Sequence, residues 1–264
     1  MSWVEVNGID IHYVEAGSGQ PIVFLHGHSS CGEAWFQQFA AFSDRFRCIA
    51  YDSVNHGHSA NSPRDEDEPD RADELEGFLA ALGIQRPILV GNSMGGNTIL
   101  RWASRHTSDA AGLIVSGSGV RPPEAATPAP AKPMSEQRLF IPVGESFTPG
   151  FKDEQPTMLD RYFRIRSTAT RIESMRHPRR PSDRTTEERR ALIDRVTGIQ
   201  SPIQIITGEL DTALEAAQGL RDAMPSAAYH EIPGGPHNAY WEMAGAWNEV
   251  ASAFLDRVAG AVAR

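Results

Sequence analysis

The sequence predicts an α/β domain: a mostly parallel eight-stranded sheet with helices on both faces and a helical insertion over it. Three observations carry this expectation. Short apolar runs recur along the chain, stretches of helical character separate them, and the rhythm breaks once, over residues 120–200. The expected division is therefore a core of residues 1–119 and 201–264 with a cap, or lid, of residues 120–200.

The chain opens with WVEV, Asn7-Gly8 and IDIHYVE, two alternating runs around a dipeptide suited to a primed turn, which predicts a β-hairpin. After Gly17-Ser18-Gly19 come PIVFL (21–25), RCIAYD (47–52), PILVGN (87–92), GLIVSGS (112–118), PIQIITGE (202–209) and AAYHEIP (227–233). Most of these runs are apolar throughout rather than alternating, as parallel strands covered on both faces should be. Helices are expected over 33–43, 69–82, 94–106, 214–224 and 241–262, so strands and helices alternate as βαβ units do.

Of the 264 residues, 40% are hydrophobic and 22% charged, values of a folded globular chain rather than a disordered or fibrous one. The net charge of −9 repels phosphate backbones, which argues against a nucleic-acid partner. No apolar run approaches the roughly 20 residues of a bilayer span. The N-terminal MSWVEVNGIDIHYVEAG lacks a basic region followed by an apolar one, so the expected location is cytoplasmic and off the membrane. Two cysteines, Cys31 and Cys48, offer neither a disulfide framework nor a zinc-type spacing.

The chemistry concentrates at Gly91-Asn92-Ser93-Met94-Gly95, a GxSxG placed directly after an expected strand and before an expected helix. A serine there sits on a tight strand-to-helix turn that flanking glycines permit. Its hydroxyl needs a base, and the base an orienting acid. Asp211 closes IITGELD just past a strand, and His237 lies in PGGPHNAYW between the last strand and the last helix. Taken alone, Asp211 also admits a helix-cap reading and His237 a loop-histidine reading, each the lesser one; together with Ser93 they supply nucleophile, acid and base in the order Ser, Asp, His. An oxyanion site requires two further N–H donors. Met94 is the candidate for one, and the loop HGHSS after PIVFL offers His28, or failing that Ser29, for the other.

Through His26-Gly27, DSVNHGHS (52–59), GNSMGG (91–96), GELD (208–211) and Pro236-His237, the chain resembles the α/β-hydrolase-fold serine hydrolases over essentially its full length. GNSMGG and the ending HNAYWEMAGAWNEVASAFL are also similar to the meta-cleavage-product C–C hydrolases. That family usually carries Trp after its histidine, where Asn238 stands, and a glycine-rich oxyanion loop, where HGHSSCGEAW stands. Haloalkane dehalogenases and epoxide hydrolases of this fold use an elbow aspartate, and position 93 is serine. The resemblance implies a cap-bearing hydrolase without cofactor or metal, acting on small to medium esters or lactones. C–C cleavage of a vinylogous diketone is the runner-up. A cofactor-free dioxygenase or a ligand receptor on the same fold are the other readings.

Four histidines form two HxH pairs, His26/His28 and His56/His58, which fold-typical loops explain better than metal ligation, since no ligand carboxylate is demanded nearby. Cys31, beside the expected oxyanion loop, reads as a small buried thiol. The acidic run DEDEPD (65–70) suits a loop leading into a helix N-terminus. Residues 161–195 carry eleven Arg against five acids, a local excess of +6 in an acidic chain. These arginines are solvated helix faces, or one or two of them hold an anionic substrate group. Met134, Phe140, Phe147, Phe151, Met158, Tyr162 and Phe163 give the cap an apolar inventory suited to a hydrophobic or aromatic small-molecule substrate, or to packing the cap on the sheet.

Overall fold

Asn7 and Gly8 both hold positive φ, 52° and 79°, the pair of left-handed residues a two-residue primed turn demands. They join β1 (Ser2–Val6) to β2 (Ile9–Ala16) in an antiparallel hairpin with Val6 opposite Ile9. The computed structural model describes residues 2–63, 70–124, 146–169 and 185–262.

From the hairpin the sheet continues through β4 (Arg47–Tyr51), β3 (Pro21–Leu25), β5 (Ile88–Asn92), β6 (Gly112–Ser116), β7 (Ile203–Gly208) and β8 (Ala228–Ile232), giving eight strands in the order β1-β2-β4-β3-β5-β6-β7-β8. Only the β1/β2 and β2/β4 pairs are antiparallel. The order reverses at β3, whose neighbours are β4 and β5. Loops leaving the C-terminal ends of β3 and β5 therefore diverge around a crevice, the place where open α/β sheets hold ligands.

Successive residues of the central strands feed opposite cores, as the strand period of two requires. Val23 and Leu25 join one apolar cluster, Ile22 and Phe24 the other. The first cluster takes in α2 (Arg71–Ala81), α3 (Met94–Ala103), α6 (Thr186–Val196) and α7 (Leu214–Ala223). The second is covered by a 3-10 turn (Gly32–Trp35), α1 (Phe36–Phe42) and α9 (Ala244–Val262), with Trp35, Trp247 and Phe254 buried. Asp70 caps α2, accepting from the N–H of Ala72 at 2.8 Å, and pairs with Arg101 and Arg105 of α3. The rest of the acidic run lies outside the described residues.

Within 120–200, α4 (Phe151–Glu154) and α5 (Pro156–Ala169) bury Phe151, Tyr162, Ile165 and Ala169 in the second cluster. Helix α6 behaves differently: Leu192 and Val196, with Ile199 beyond it, pack into the first cluster beside α3 and α7. The N-terminus of α6 is closed by a reciprocal capping box between Thr185 and Glu188. Buried Arg189 donates to the carbonyl of Pro123 at 3.0 Å, tying the two ends of the stretch together. Met134, Phe140 and Arg171, Arg176, Arg179, Arg180 and Arg184 lie outside the described residues. Among the described residues no helix is long and apolar enough to cross a membrane.

Candidate active site

Ser93 sits between β5 and α3 with φ 53° and ψ −112°, a backbone state that costs of order 1–3 kcal/mol and persists only where the surroundings enforce it. They do. A Cβ on Gly95 would stand 2.1 Å from the Leu25 carbonyl oxygen, and one on Gly91 2.4 Å from Gly95. The Ser93 N–H donates to Ser116 O at 2.9 Å, and its carbonyl accepts from Asn97 N–H at 3.0 Å. The turn is fixed from β6 on one side and the first turn of α3 on the other.

Asp211 and His237 come together from the loops after β7 and β8. Those loops are knitted by Leu210 N–H to Gly235 O at 2.8 Å, and Gly208 packs so closely that a Cβ would lie 2.1 Å from the same oxygen. The Asp211 carboxylate, buried, accepts from Ala213 N–H at 2.7 Å and the Thr207 hydroxyl at 3.2 Å, and Oδ1 meets His237 Nδ1 at 2.6 Å. An ionised carboxylate only accepts, so Nδ1 carries the proton and Nε2 keeps a lone pair. Gly117 links this ring to the elbow. At φ 54°, a Cβ on it would sit 3.1 Å from His237 Cε1 and 2.9 Å from Asn92 Oδ1, one residue after the Ser116 carbonyl that binds Ser93. Asp211 is thus joined to His237, whereas among the described residues no hydrogen bond joins Ser93 Oγ to the ring. Contacts of that kind commonly tighten on substrate binding.

The β3 loop abuts the elbow: a Cβ on Gly27 would be 3.5 Å from Ser93 Cβ. His28 follows, half-buried, and Ser29 holds φ 60°. Buried His26 fixes this loop. Its Nε2 accepts from Ser53 N–H at 3.0 Å, so Nδ1 bears the proton and donates to Gly27 O at 2.7 Å. Because a trans peptide is planar, holding the Gly27 carbonyl sets the plane that carries the His28 N–H. Met94 opens α3, where first-turn N–H groups have no partner within the helix.

Beneath the loop lies an arrangement that no spacing in the sequence announced. Asp52 binds His12 Nδ1 at 3.0 Å, Gly32 N–H at 2.7 Å and His58 N–H at 2.8 Å. Burial pushes its carboxyl up, but these partners outweigh burial and hold it below the usual carboxylate range. His56 packs its ring 5.2 Å from His26 and 5.5 Å from His28, with Nδ1 on Val54 O. Burial lowers His26 to about 4 and His56 well below its ordinary value. His26 and His56, one from each HxH pair, are therefore neutral packing and hydrogen-bonding groups. Among the described residues, no group of three His, Cys, Asp or Glu side chains could hold a metal ion. Burial, then the Asp52 charge, pushes the Cys31 thiol up, so it is no thiolate at neutral pH.

Tyr162 meets Phe147 edge-on at 4.7 Å and Trp241 at 5.4 Å. Of the arginines of α5, Arg161 lies 3.5 Å over the Phe36 ring, Arg164 pairs with Asp160 at 2.9 Å and Arg166 reaches the Tyr162 hydroxyl at 3.4 Å.

Known proteins share this plan. A family model described as the alpha/beta hydrolase family matches residues 22–251. A non-heme chloroperoxidase of Kitasatospora aureofaciens is 39% identical over 38% of this chain, a stretch spanning only 37% of that relative's length. A Pseudomonas 2-hydroxy-6-oxononadienedioate/2-hydroxy-6-oxononatrienedioate hydrolase is 29% identical over 96% of this chain and 94% of its own. The solved structure of Est816, described as an N-acyl homoserine lactone degrading enzyme, superposes with a TM-score of 0.80 at 26% identity, covering 96% of this chain and all of its own (100%).

Proposed function

Since this chain belongs to the alpha/beta hydrolase family, we propose that Ser93, His237 and Asp211 form its proton relay and that it hydrolyses a small to medium carboxylic ester or lactone through an acyl-enzyme. The observation that carries this reading is the 2.6 Å contact of Asp211 with His237 Nδ1, across Gly117 from a strained elbow serine. His237 Nε2 takes the hydroxyl proton as Ser93 Oγ attacks the acyl carbon. The backbone N–H groups of His28 and Met94 stabilise the resulting oxyanion. The histidinium then gives its proton to the leaving alkoxide. Water, deprotonated by the same ring, cleaves the acyl-enzyme and restores the serine. Asp211 holds the tautomer and steadies the imidazolium.

A second reading, hydrolysis of a C–C bond beside a ketone, is favoured by the full-length similarity to the Pseudomonas dienedioate hydrolase. The similarity to a chloroperoxidase fits the first intermediate, because hydrogen peroxide replacing water at an acyl-enzyme releases a peroxy acid. A panel of aryl esters, lactones and a vinylogous diketone, assayed on wild type and Ser93→Ala with and without peroxide, separates these. Ester or lactone turnover lost in Ser93→Ala is expected; preferential diketone cleavage would overturn the first choice, and turnover surviving Ser93→Ala would overturn the relay.

A further inference from the structure

We propose that Tyr162, on the cap helix, is a positioning residue for His237, acting through Asn238, so that a docked cap is part of the proton relay; this rests on the relay proposed above. Asn238 follows His237 directly and is 5% exposed. Its backbone N–H donates to Ser146 O at 3.0 Å, and its amide Nδ2 donates to the Tyr162 hydroxyl at 3.3 Å. It stands at the N-terminal end of the four-residue helix α8 (Ala239–Glu242), where its backbone carbonyl accepts from the N–H groups of Trp241 at 2.9 Å and Glu242 at 3.0 Å. At the other end of α8 the Glu242 carboxylate accepts from the Thr148 N–H at 2.9 Å and from the Thr148 hydroxyl, while the Gln155 amide donates to Glu242 O at 3.2 Å. Residues 146–162 thus grip the segment immediately after the histidine at both ends.

Helix α5 continues from this grip to the other wall of the crevice. There the carbonyl of Ala169 accepts from Gly57 N–H at 3.2 Å, in the turn whose His56 packs on His26 and His28. One cap helix therefore bridges the histidine loop and the turn behind the oxyanion loop. Asp211 restrains the ring of His237 at Nδ1, but the position of its backbone relative to Ser93 depends on residues 236–238. A displacement of about 1 Å at a reacting group costs on the order of 10²-fold in rate.

Tyr162→Phe removes the hydroxyl, with its contacts to Asn238 and Arg166, and leaves the ring on Phe147 and Trp241; Asn238→Ala removes the amide and leaves Arg166 on the hydroxyl. With an aryl ester, each is expected to lower kcat roughly 10-fold with KM within about 2-fold, and the double variant is expected to be no slower than either single one. Inactivation by a fluorophosphonate should slow by the same factor, since it reads the serine–histidine pair without substrate recognition. Asn238→Asp, whose carboxylate accepts from the tyrosine hydroxyl, should recover most of the rate, and only while Tyr162 is present. Variants that melt earlier yet keep kcat and inactivation rate would show a merely structural link and overturn the proposal. So would a raised KM at unchanged kcat, which marks a substrate contact. Should Asn238→Ala not fold, Tyr162→Phe decides alone. Wild type that takes no label at Ser93 would defeat the relay and this proposal with it, whereas variants labelled as fast as a labelled wild type would defeat this proposal only.

Discussion

Asp211 Oδ1 lies 2.6 Å from His237 Nδ1 while the Ala213 N–H and the Thr207 hydroxyl hold the same carboxylate in place. The acid is thus oriented by its own loop and strand, independently of the histidine it serves. Ala213 N–H and His237 Nδ1 share Oδ1, so in Asp211→Asn an amide N–H turned toward the ring gives up the Ala213 bond and favours the wrong tautomer. Turnover should fall roughly 10³–10⁴-fold, with stability changed by no more than about 2 kcal/mol. Steady-state kinetics alongside thermal melts check this; near-normal kcat would move the orienting role to another carboxylate.

Gly117 separates the elbow from the histidine. Gly117→Ala places a methyl 3.1 Å from His237 Cε1 at a φ of 54°. The left-handed residue costs about 1–2 kcal/mol, whereas the displaced ring should cost kcat on the order of 10²-fold. Activity lost no faster than stability would contradict this use of the glycine.

The buried histidines set an acid limit. His26 is lowered by burial to about 4, so between that value and the unfolded value near 6.5 the unfolded chain binds more protons than the native one. Stability is then fully present above about pH 6.5 and falls as pH drops toward 4, by about 3 kcal/mol for this group alone; His56, shifted the same way, steepens the loss. Melting curves from about pH 4 to 7 should show this slope, and His26→Asn should flatten it. A wild-type profile without slope across that window contradicts the neutral assignment.

Asp70→Ala removes the α2 cap and the anchor for Arg101 and Arg105, none of which contacts Ser93, Asp211 or His237 among the hydrogen bonds and ion pairs of the described residues. It should destabilise by about 1–2 kcal/mol and leave kcat untouched. A matching loss of kcat would mean that activity merely follows global stability.

The strands and the elbow were legible because they rest on local necessity: apolar runs for covered strands, and glycine at 91 and 95 where a Cβ would strike backbone. Asp211 and His237, each ambiguous alone, were picked out by their order after Ser93. The stripe Leu192, Val196, Ile199 was equally available as a helical period, and it explains why α6 packs with α3 and α7. What stayed hidden lies between residues far apart in the chain. His12 meets Asp52, Asn238 meets Tyr162, and Glu242 meets Thr148, across 40, 76 and 94 positions, and no local pattern selects those partners. The arginine-rich composition likewise did not distinguish Arg189, buried on Pro123, from Arg164, paired in solvent.

The central claim is that Ser93 is the nucleophile activated through His237. Labelling the native protein with a fluorophosphonate and mapping the adduct by peptide mass spectrometry tests it most directly. A single adduct on the peptide bearing Ser93, absent from Ser93→Ala and slowed in Asp211→Asn, is the predicted result; an adduct on another residue, or one undiminished in Ser93→Ala, would contradict the account.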